Sequence, residues 1–473
     1  MLSGLYLITD GSQGGRLIDK VEAALIGGAK VVQYRAKEIA PDERRETAEQ
    51  LRELCTRFGA LLIINDLPEL ARDVDADGVH LGQDDMPAVQ ARKIIGRDKL
   101  IGISTHSVDE ALKAEAQGAD YIGIGSIFPT NTKEDTTLVG IETLRRVRKA
   151  VRIPIVAIGG MTPEGAFQAL EAGADSVAVI SGVMADSDPI TAAKEYSLLF
   201  NRKTPPPTGR VLTIAGSDSC GGAGIQADIK TITLLGSYAS SVLTALTAQN
   251  TLGVQDSYIV DAEFIVKQLN AVLDDIGTDV VKTGMLSWGG IVTRVAHAIE
   301  SRSLLAVVDP VMIAKGGASL LDHVALDSLI SRLLPQAYLL TPNLPEAEAM
   351  SGIEPRNVKE MVEAGRALQE LGARNVLVKG GHLNDDATDV LLCGDDEYLF
   401  TSQRFETANT HGTGCTLASA IATFLAQGYP LRLAVERGKR FISLAIEHSV
   451  SLGRGHGPVN HIHAARLMLS EEE

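Results

Sequence analysis

Short apolar runs alternate with amphipathic stretches through the first 200 residues. The runs begin near Gly4 (GLYLIT), Ala29 (AKVVQYR), Ala60 (ALLIIN), Asp77 (DGVHLG), Leu100 (LIGIST), Asp120 (DYIGIG), Ile153 (IPIVAIGG) and Asp175 (DSVAVIS). Each is nearly continuously apolar, as expected of a strand buried on both faces. Each leaves room for a helix before the next. Eight βα units in this length predict a (βα)8 TIM barrel, with its active site at the C-terminal strand ends, where the polar residues gather. Residues 201–208 then contain three consecutive prolines, which neither a helix nor a central strand accommodates. They predict an extended linker between a first domain, 1–200, and a second, 209–473. Beyond the linker, strands are predicted at 211–215, 280–283, 305–309, 338–341, 376–379 and 390–393, with long helical patterns between them. This is an α/β pattern too, but of an open, mostly parallel sheet that binds ligands beyond its C-terminal strand ends.

Composition narrows the functions available. Hydrophobic residues make up 45% and charged residues 22%, a globular balance. The net charge of −16 and the lack of any basic run argue against nucleic acid or an anionic membrane as partner. Small-molecule substrates are expected, and a homo-oligomer is compatible with the sequence. No apolar run approaches the length of a membrane span. Cys55, Cys220, Cys393 and Cys415 form no C-x-x-C pair, so neither zinc nor a disulfide framework is indicated, and a reducing cytoplasm is the expected location. The tail His456, His461 and His463 matches no zinc spacing. Glycine is in excess, 46 of 473 residues, suggesting many turns where backbone approaches a ligand.

In the first half, Gln33, Arg35 and Lys37 alternate at a strand end, so two cations face the barrel mouth and suit an anionic ligand. Asn65, Asp66 and Asp85 end the next two runs. Carboxylates from neighbouring strands can share Mg²⁺, although Asp66 before Leu-Pro-Glu also fits a helix cap. Thr130, Thr132 and Lys133 follow the sixth run as diphosphate ligands. Gly160, Ile180 and Ser181 follow the seventh and eighth, where barrels form a backbone phosphate cup. The pieces QYRAK, IND, DGVHLGQDD, GISTHS, GSIFPTNTK, PIVAIGGM and AVIS resemble thiamine-phosphate synthase. That resemblance implies joining a hydroxymethylpyrimidine diphosphate to a hydroxyethylthiazole phosphate, with release of diphosphate. It implies that Gln33, Arg35, Lys37, Asn65, Ser104 and Lys133 hold the pyrimidine diphosphate, and that Asp66 and Asp85 bind Mg²⁺. Thr130, Thr132, Gly160, Ile180 and Ser181 would hold the thiazole phosphate. Tyr34-Arg35-Ala36 departs from the family's usual Leu-Arg-Glu. A thiazole tautomerase, the related alternative, would not need the full diphosphate set.

The second half contains no Walker A motif. Instead, residues 409–415 (NTHGTGC) precede a small-residue helix, whose first N–H groups suit an anion hole. Cys415 sits at that helix start, a position that lowers thiol pKa values. Asp309, Asn343 and Glu346 end strands and could surround Mg–ATP, with Lys379 on the phosphates; Asn343 and Glu346 also read as a capping pair. TIAGSDSCGGAGIQADIK, TALTAQNT, KTGML, DPVM, TPNLPEAE, VKGGH, NTHGTGC and GHGPVNH together resemble the hydroxymethylpyrimidine/phosphomethylpyrimidine kinases of the ribokinase-like superfamily. The resemblance implies that Gly216, Asp228, Gln249 and Met285 contact the aminopyrimidine and that Gly412, Thr413 and Gly414 form the anion hole. Cys415 would stand where most of the superfamily carries a catalytic Asp, and would act as a base. Pyridoxal kinase is the nearest rival. The two halves then perform consecutive steps with ATP and Mg²⁺; the contrasting expectation is that one half is inactive and regulates the other.

Overall fold

Alternation along each strand of the first unit decides which side chains enter the barrel and which face the helices. The computed structural model describes residues 2–9, 16–36, 39–130, 137–312, 323–381 and 387–470. Lys37, Thr132, Lys133 and the His382 of the VKGGH motif lie outside them. The chain forms two compact units, Met1–Phe200 and Asn201–Glu473.

In the first unit, β1 (Gly4–Ile8), β2 (Val31–Tyr34), β3 (Leu61–Asn65), β4 (Gly78–Leu81), β5 (Leu100–Thr105), β6 (Tyr121–Ile124), β7 (Ile155–Ile158) and β8 (Ser176–Val179) close a parallel barrel in chain order. β1 pairs with β8 through Gly4–Ser176 to Leu7–Val179. Around it run α1 (Leu17–Ile26), α2 (Pro41–Phe58), α3 (Pro68–Asp73), α4 (Ala88–Ile95), α5 (Val108–Ala116), α6 (Ile141–Ala150), α7 (Pro163–Glu171), α8 (Ser181–Met184) and α9 (Pro189–Leu198). Tyr6, Ile8, Val31, Ile63, Tyr121, Val156 and Ala178 pack together in one cluster, whereas Leu5, Leu7, Val32, Leu62 and Val79 join the larger core with the helices. Helix starts follow local chemistry. Ser107 caps α5 by accepting from Glu110 N–H, and Thr162 caps α7 by accepting from Gly165 N–H, with Pro163 at the first helical position.

The second unit is built on a nine-stranded sheet. Its elements are β9 (Arg210–Asp218), α10 (Gly224–Leu234), β10 (Tyr238–Asn250), β11 (Gly253–Ile259), α11 (Ala262–Leu273), β12 (Val280–Thr283), α12 (Gly289–Ser301), β13 (Ala306–Val308), α13 (His323–Ser328), β14 (Leu339–Leu340), α14 (Leu344–Ser351), α15 (Val358–Glu370), β15 (Asn375–Val378), β16 (Ala387–Cys393), β17 (Asp396–Ser402), α16 (Thr413–Ala426), α17 (Leu431–Glu447) and α18 (His461–Ser470). The strand order is β11-β10-β9-β12-β13-β14-β15-β16-β17. The central pairs are parallel, while β11, β16 and β17 run antiparallel at the edges. Strands β10, β11 and β17 were not among the predicted ones.

The proline segment is not a free spacer. Asn201 donates to the Ala426 carbonyl, Thr208 N–H donates to the Gly236 carbonyl, and the Arg202 guanidinium lies 4.4 Å from the Tyr429 ring centroid. One backbone N–H and two side chains thus find partners on the second unit, so both ends of the segment are tied to that unit. Among the described residues, no helix is long and apolar enough to cross a membrane.

Candidate active sites

At the C-terminal end of the barrel a cavity of about 710 Å³ opens. Gln33, Arg35, Asn65, Asp66, Asp85, Ser104, Thr130, Gly160, Ile180 and Ser181 all line it, so every described candidate of the first half meets in one place. Asp66 follows β3 with φ 64°, a left-handed backbone uncommon for a non-glycine residue. It is not a helix cap: the residue capping α3 is Leu67. One Asp85 oxygen accepts from Gly82 N–H at 2.7 Å, which holds the carboxylate at the end of β4. Gly160 has φ 62°, and a Cβ there would collide with the Pro129 carbonyl, so backbone lines this side of the cavity.

A set of barrel residues not singled out from the sequence lies at the cavity floor. Tyr6, His80 and Tyr121 link Gln33 to Ser104 by hydrogen bonds. Burial raises the Tyr6 and Tyr121 pKa values and lowers that of His80 to about 4, so all three are neutral near pH 7. Aromatic residues inside apolar runs read as core, and only the polar His80 within GVHL hinted at more.

In the second unit a cavity of about 740 Å³ is lined by Gly216, Gln249, Met285, Asp309, Asn343, Glu346, Lys379 and Gly412 through Cys415. The N-terminus of α16 faces it, with amides that have no carbonyl partner within their own helix. Lys379 donates to Asp309 at 2.8 Å, and Thr341 donates to the same oxygen at 3.2 Å. A Cβ placed on Gly414 would stand 3.3 Å from Lys379 Nζ and 3.5 Å from Asp309 Oδ2, so cation, carboxylate and helix start converge. Burial opposes charge on Lys379, but Asp309 and Glu346 outweigh it and its pKa moves up. Asn343 and Glu346 form a true capping box on α14, and both also line the cavity. Burial pushes the Glu346 carboxyl up to about 7 against the pull of Lys379.

Two expectations are corrected here. Asp228 does not reach the cavity to meet an aminopyrimidine. It is fully buried, receives Lys282 Nζ at 2.9 Å on both oxygens, and accepts from Thr213 and Ser419 at 2.6 and 2.7 Å. Nor does the start of α16 make Cys415 a thiolate. Burial pushes its thiol up to about 11; Lys282 pulls down while Asp228 and Asp309 push up. The thiol form then dominates near pH 7. Alkylation of Cys415 by iodoacetamide, followed by peptide mass spectrometry, is expected to accelerate about tenfold per pH unit from 7 to 10. A plateau near neutrality would show that the thiol is activated after all.

Another carboxylate, Asp218, joins the two glycine loops. It accepts from Cys220, Gly222 and Ala223 N–H at 2.9, 3.0 and 2.8 Å, and lies 2.9 Å from His411 Nε2. Burial works against this charge, but the His411 bond and the backbone donors outweigh it and lower the pKa. In the tail, His461 sits 2.9 Å from Thr416 Oγ1, and the His463 ring packs at a tilt of 57° against His448.

Comparison with known proteins follows the same division. The thiamine monophosphate synthase family matches residues 5–183, and the phosphomethylpyrimidine kinase family matches residues 218–460. The thiamine biosynthesis bifunctional protein ThiED of Geobacter sulfurreducens is 55% identical over 98% of this chain and 95% of its own length. The hydroxymethylpyrimidine/phosphomethylpyrimidine kinase of Haemophilus influenzae is 46% identical over 54% of this chain and 98% of its own. Among solved structures, the ADP complex of Bacillus subtilis pyridoxal kinase is 38% identical, with a TM-score of 0.51 over 55% of this chain and 99% of that one. A closed barrel, a ribokinase-like second unit and whole-length identity to such a protein place this chain in the bifunctional thiamine biosynthesis family, which joins a thiamine-phosphate synthase to a hydroxymethylpyrimidine/phosphomethylpyrimidine kinase.

Proposed function

We propose that the second unit phosphorylates 4-amino-5-hydroxymethyl-2-methylpyrimidine and then its monophosphate with ATP, and that the barrel condenses the resulting diphosphate with hydroxyethylthiazole phosphate to thiamine phosphate. The observation that carries this reading is the gathering of the barrel's described candidates around one cavity, in a chain whose other cavity pairs a helix-start anion hole with Lys379 and Asp309.

In the second unit the pyrimidine lies against Gly216, Gln249 and Met285, and the α16 amides face the phosphate being transferred. Charge stabilisation and alignment suffice for phosphoryl transfer. The second acceptor is already an anion and needs no base, which suits a protonated Cys415. In the barrel, Arg35, with Lys37 and Lys133 beyond the described residues, attracts the diphosphate, while Gln33, Asn65 and Ser104 orient the pyrimidine diphosphate. Thr130, Gly160, Ile180 and Ser181, with Thr132, hold the thiazole phosphate in line with the methylene carbon. The electron-rich aminopyrimidine stabilises positive charge as diphosphate departs, so no protein nucleophile is required. All-oxygen donors, Asp66 and Asp85 in the barrel and Asp309 in the second unit, fit Mg²⁺, which would neutralise phosphate charge.

A coupled assay with the whole chain tests this. Hydroxymethylpyrimidine, thiazole phosphate and Mg–ATP should yield thiamine phosphate. Arg35→Ala should lower synthase kcat/KM by about 10²–10³-fold and leave ADP release by the kinase unchanged. Loss of neither activity would contradict the site assignment. ADP release without thiamine phosphate from the wild-type chain would instead support a regulatory barrel. Comparing kcat/KM for pyridoxal and hydroxymethylpyrimidine decides between the two kinase readings.

A further inference from the structure

Five side chains from five strands form one unbranched chain of hydrogen bonds across the barrel interior. Gln33 Nε2 lies 2.9 Å from Tyr6 Oη, which lies 2.9 Å from Tyr121 Oη. Tyr121 Oη lies 3.1 Å from His80 Nδ1, and His80 Nε2 lies 3.0 Å from Ser104 Oγ. The rings have room because β5 and β6 carry glycine beside them. A Cβ on Gly102 would collide with the Tyr121 ring, and one on Gly123 would stand 3.1 Å from His80 Cε1. Tyr6 and Tyr121 are each 1% exposed, so their hydroxyls find these partners or none.

Such a chain has only two polarities. Each tyrosine and the neutral imidazole has one proton for two bonds. If the Gln33 amide donates to Tyr6, then Tyr6 donates to Tyr121, Tyr121 to His80 Nδ1, and His80 Nε2–H to Ser104. Gln33 Oε1 then remains as an acceptor, and the Ser104 hydroxyl hydrogen is released towards the cavity. If the amide is turned over, every bond reverses and Ser104 presents only lone pairs.

We propose that Tyr6, Tyr121 and His80 are positioning residues forming a polarity relay, which couples recognition of the substrate's amino group at Gln33 to hydrogen-bond donation by Ser104 at the departing diphosphate. This rests on the synthase reading of the barrel. An amino group donating to Gln33 Oε1 and a leaving oxygen accepting from Ser104 both select the first polarity. The two ends of the pyrimidine diphosphate are thereby read together, and an analogue with an acceptor in place of the amino group selects the wrong direction at Ser104.

The test uses the full-length protein with ¹⁵N-labelled histidine, bound to the pyrimidine diphosphate and Mg²⁺ without thiazole phosphate. His80, assigned by its loss in His80→Asn, is expected as the Nε2–H tautomer; the Nδ1–H tautomer or an imidazolium would overturn the relay. Kinetics give a second measurement. Gln33→Ala and Ser104→Ala should be non-additive, the double variant losing at least fivefold less kcat than the product of the single losses. In a Tyr121→Phe background the losses should multiply. Simple multiplication in the wild-type background would also overturn the relay. Absence of thiamine phosphate from the wild-type chain would remove the synthase reading itself, whereas the tautomer is read without turnover.

Discussion

Lys282→Met is expected to destabilise the second unit by about 3–5 kcal/mol, leaving the barrel's unfolding transition and synthase activity unchanged. Lys282 and Asp228 are both fully buried and 2.9 Å apart. Burial disfavours the Lys282 charge, yet the Asp228 carboxylate outweighs it and its pKa rises. Among the described residues, removing the ammonium leaves Asp228 with only the Thr213 and Ser419 hydroxyls. An uncompensated buried carboxylate costs far more than the net worth of the pair. The pair also ties together β9, α10, β12 and α16, so the loss should be cooperative across the sheet and its covering helices. Adding Asp228→Asn should restore part of the stability, because it removes the charge and keeps an acceptor for the hydroxyls. Denaturant unfolding of the full chain, read beside the two activities, measures this. A Lys282→Met chain as stable as wild type would refute it.

The same pair marks a limit of reading a site from sequence. Asp228 stands in a glycine-rich motif and reads as a ligand. Its partner is 54 residues away, in the short strand VVKT of an unrelated motif. Cys415 shows the same limit: a helix start alone lowers a thiol pKa, but burial raises this one. Strand legibility follows solvent exposure. The barrel strands and β12, β13 and β15 are buried throughout, or nearly so, and read as apolar runs. β11 is exposed along most of its length, and Ser, Thr, Gln and Asn interrupt the apolar residues of β10, so neither carries that signal. Polar residues at strand ends were legible because a barrel keeps its site there. The Tyr6–Tyr121–His80 chain was not, because interior aromatics look like core until the closed barrel brings β1, β4 and β6 face to face.

Gly412→Ala is expected to lower kinase kcat by about 10²–10³-fold, with thiamine phosphate formation from supplied pyrimidine diphosphate unchanged. Two independent constraints act at this position. Gly412 caps α16 in the left-handed region, φ 79°, which alanine adopts only under strain. A Cβ there would also fall inside the van der Waals shell of the Gly222 carbonyl oxygen and stand 3.1 Å from Ala223 Cα. Neither loop can step aside cheaply. Asp218 holds the 220–223 backbone by three N–H bonds, and the same carboxylate is 2.9 Å from His411, the residue before Gly412. Strain must then appear at the α16 N-terminus, where the cavity opens. If, as proposed, the α16 amides act on charge that develops in the transition state, kcat should fall more than the KM for pyrimidine rises. Steady-state kinetics of ADP release, with the barrel's activity in the same chain as the folding control, decides the matter. A variant with wild-type kcat would mean that the loop pair is not the anion hole.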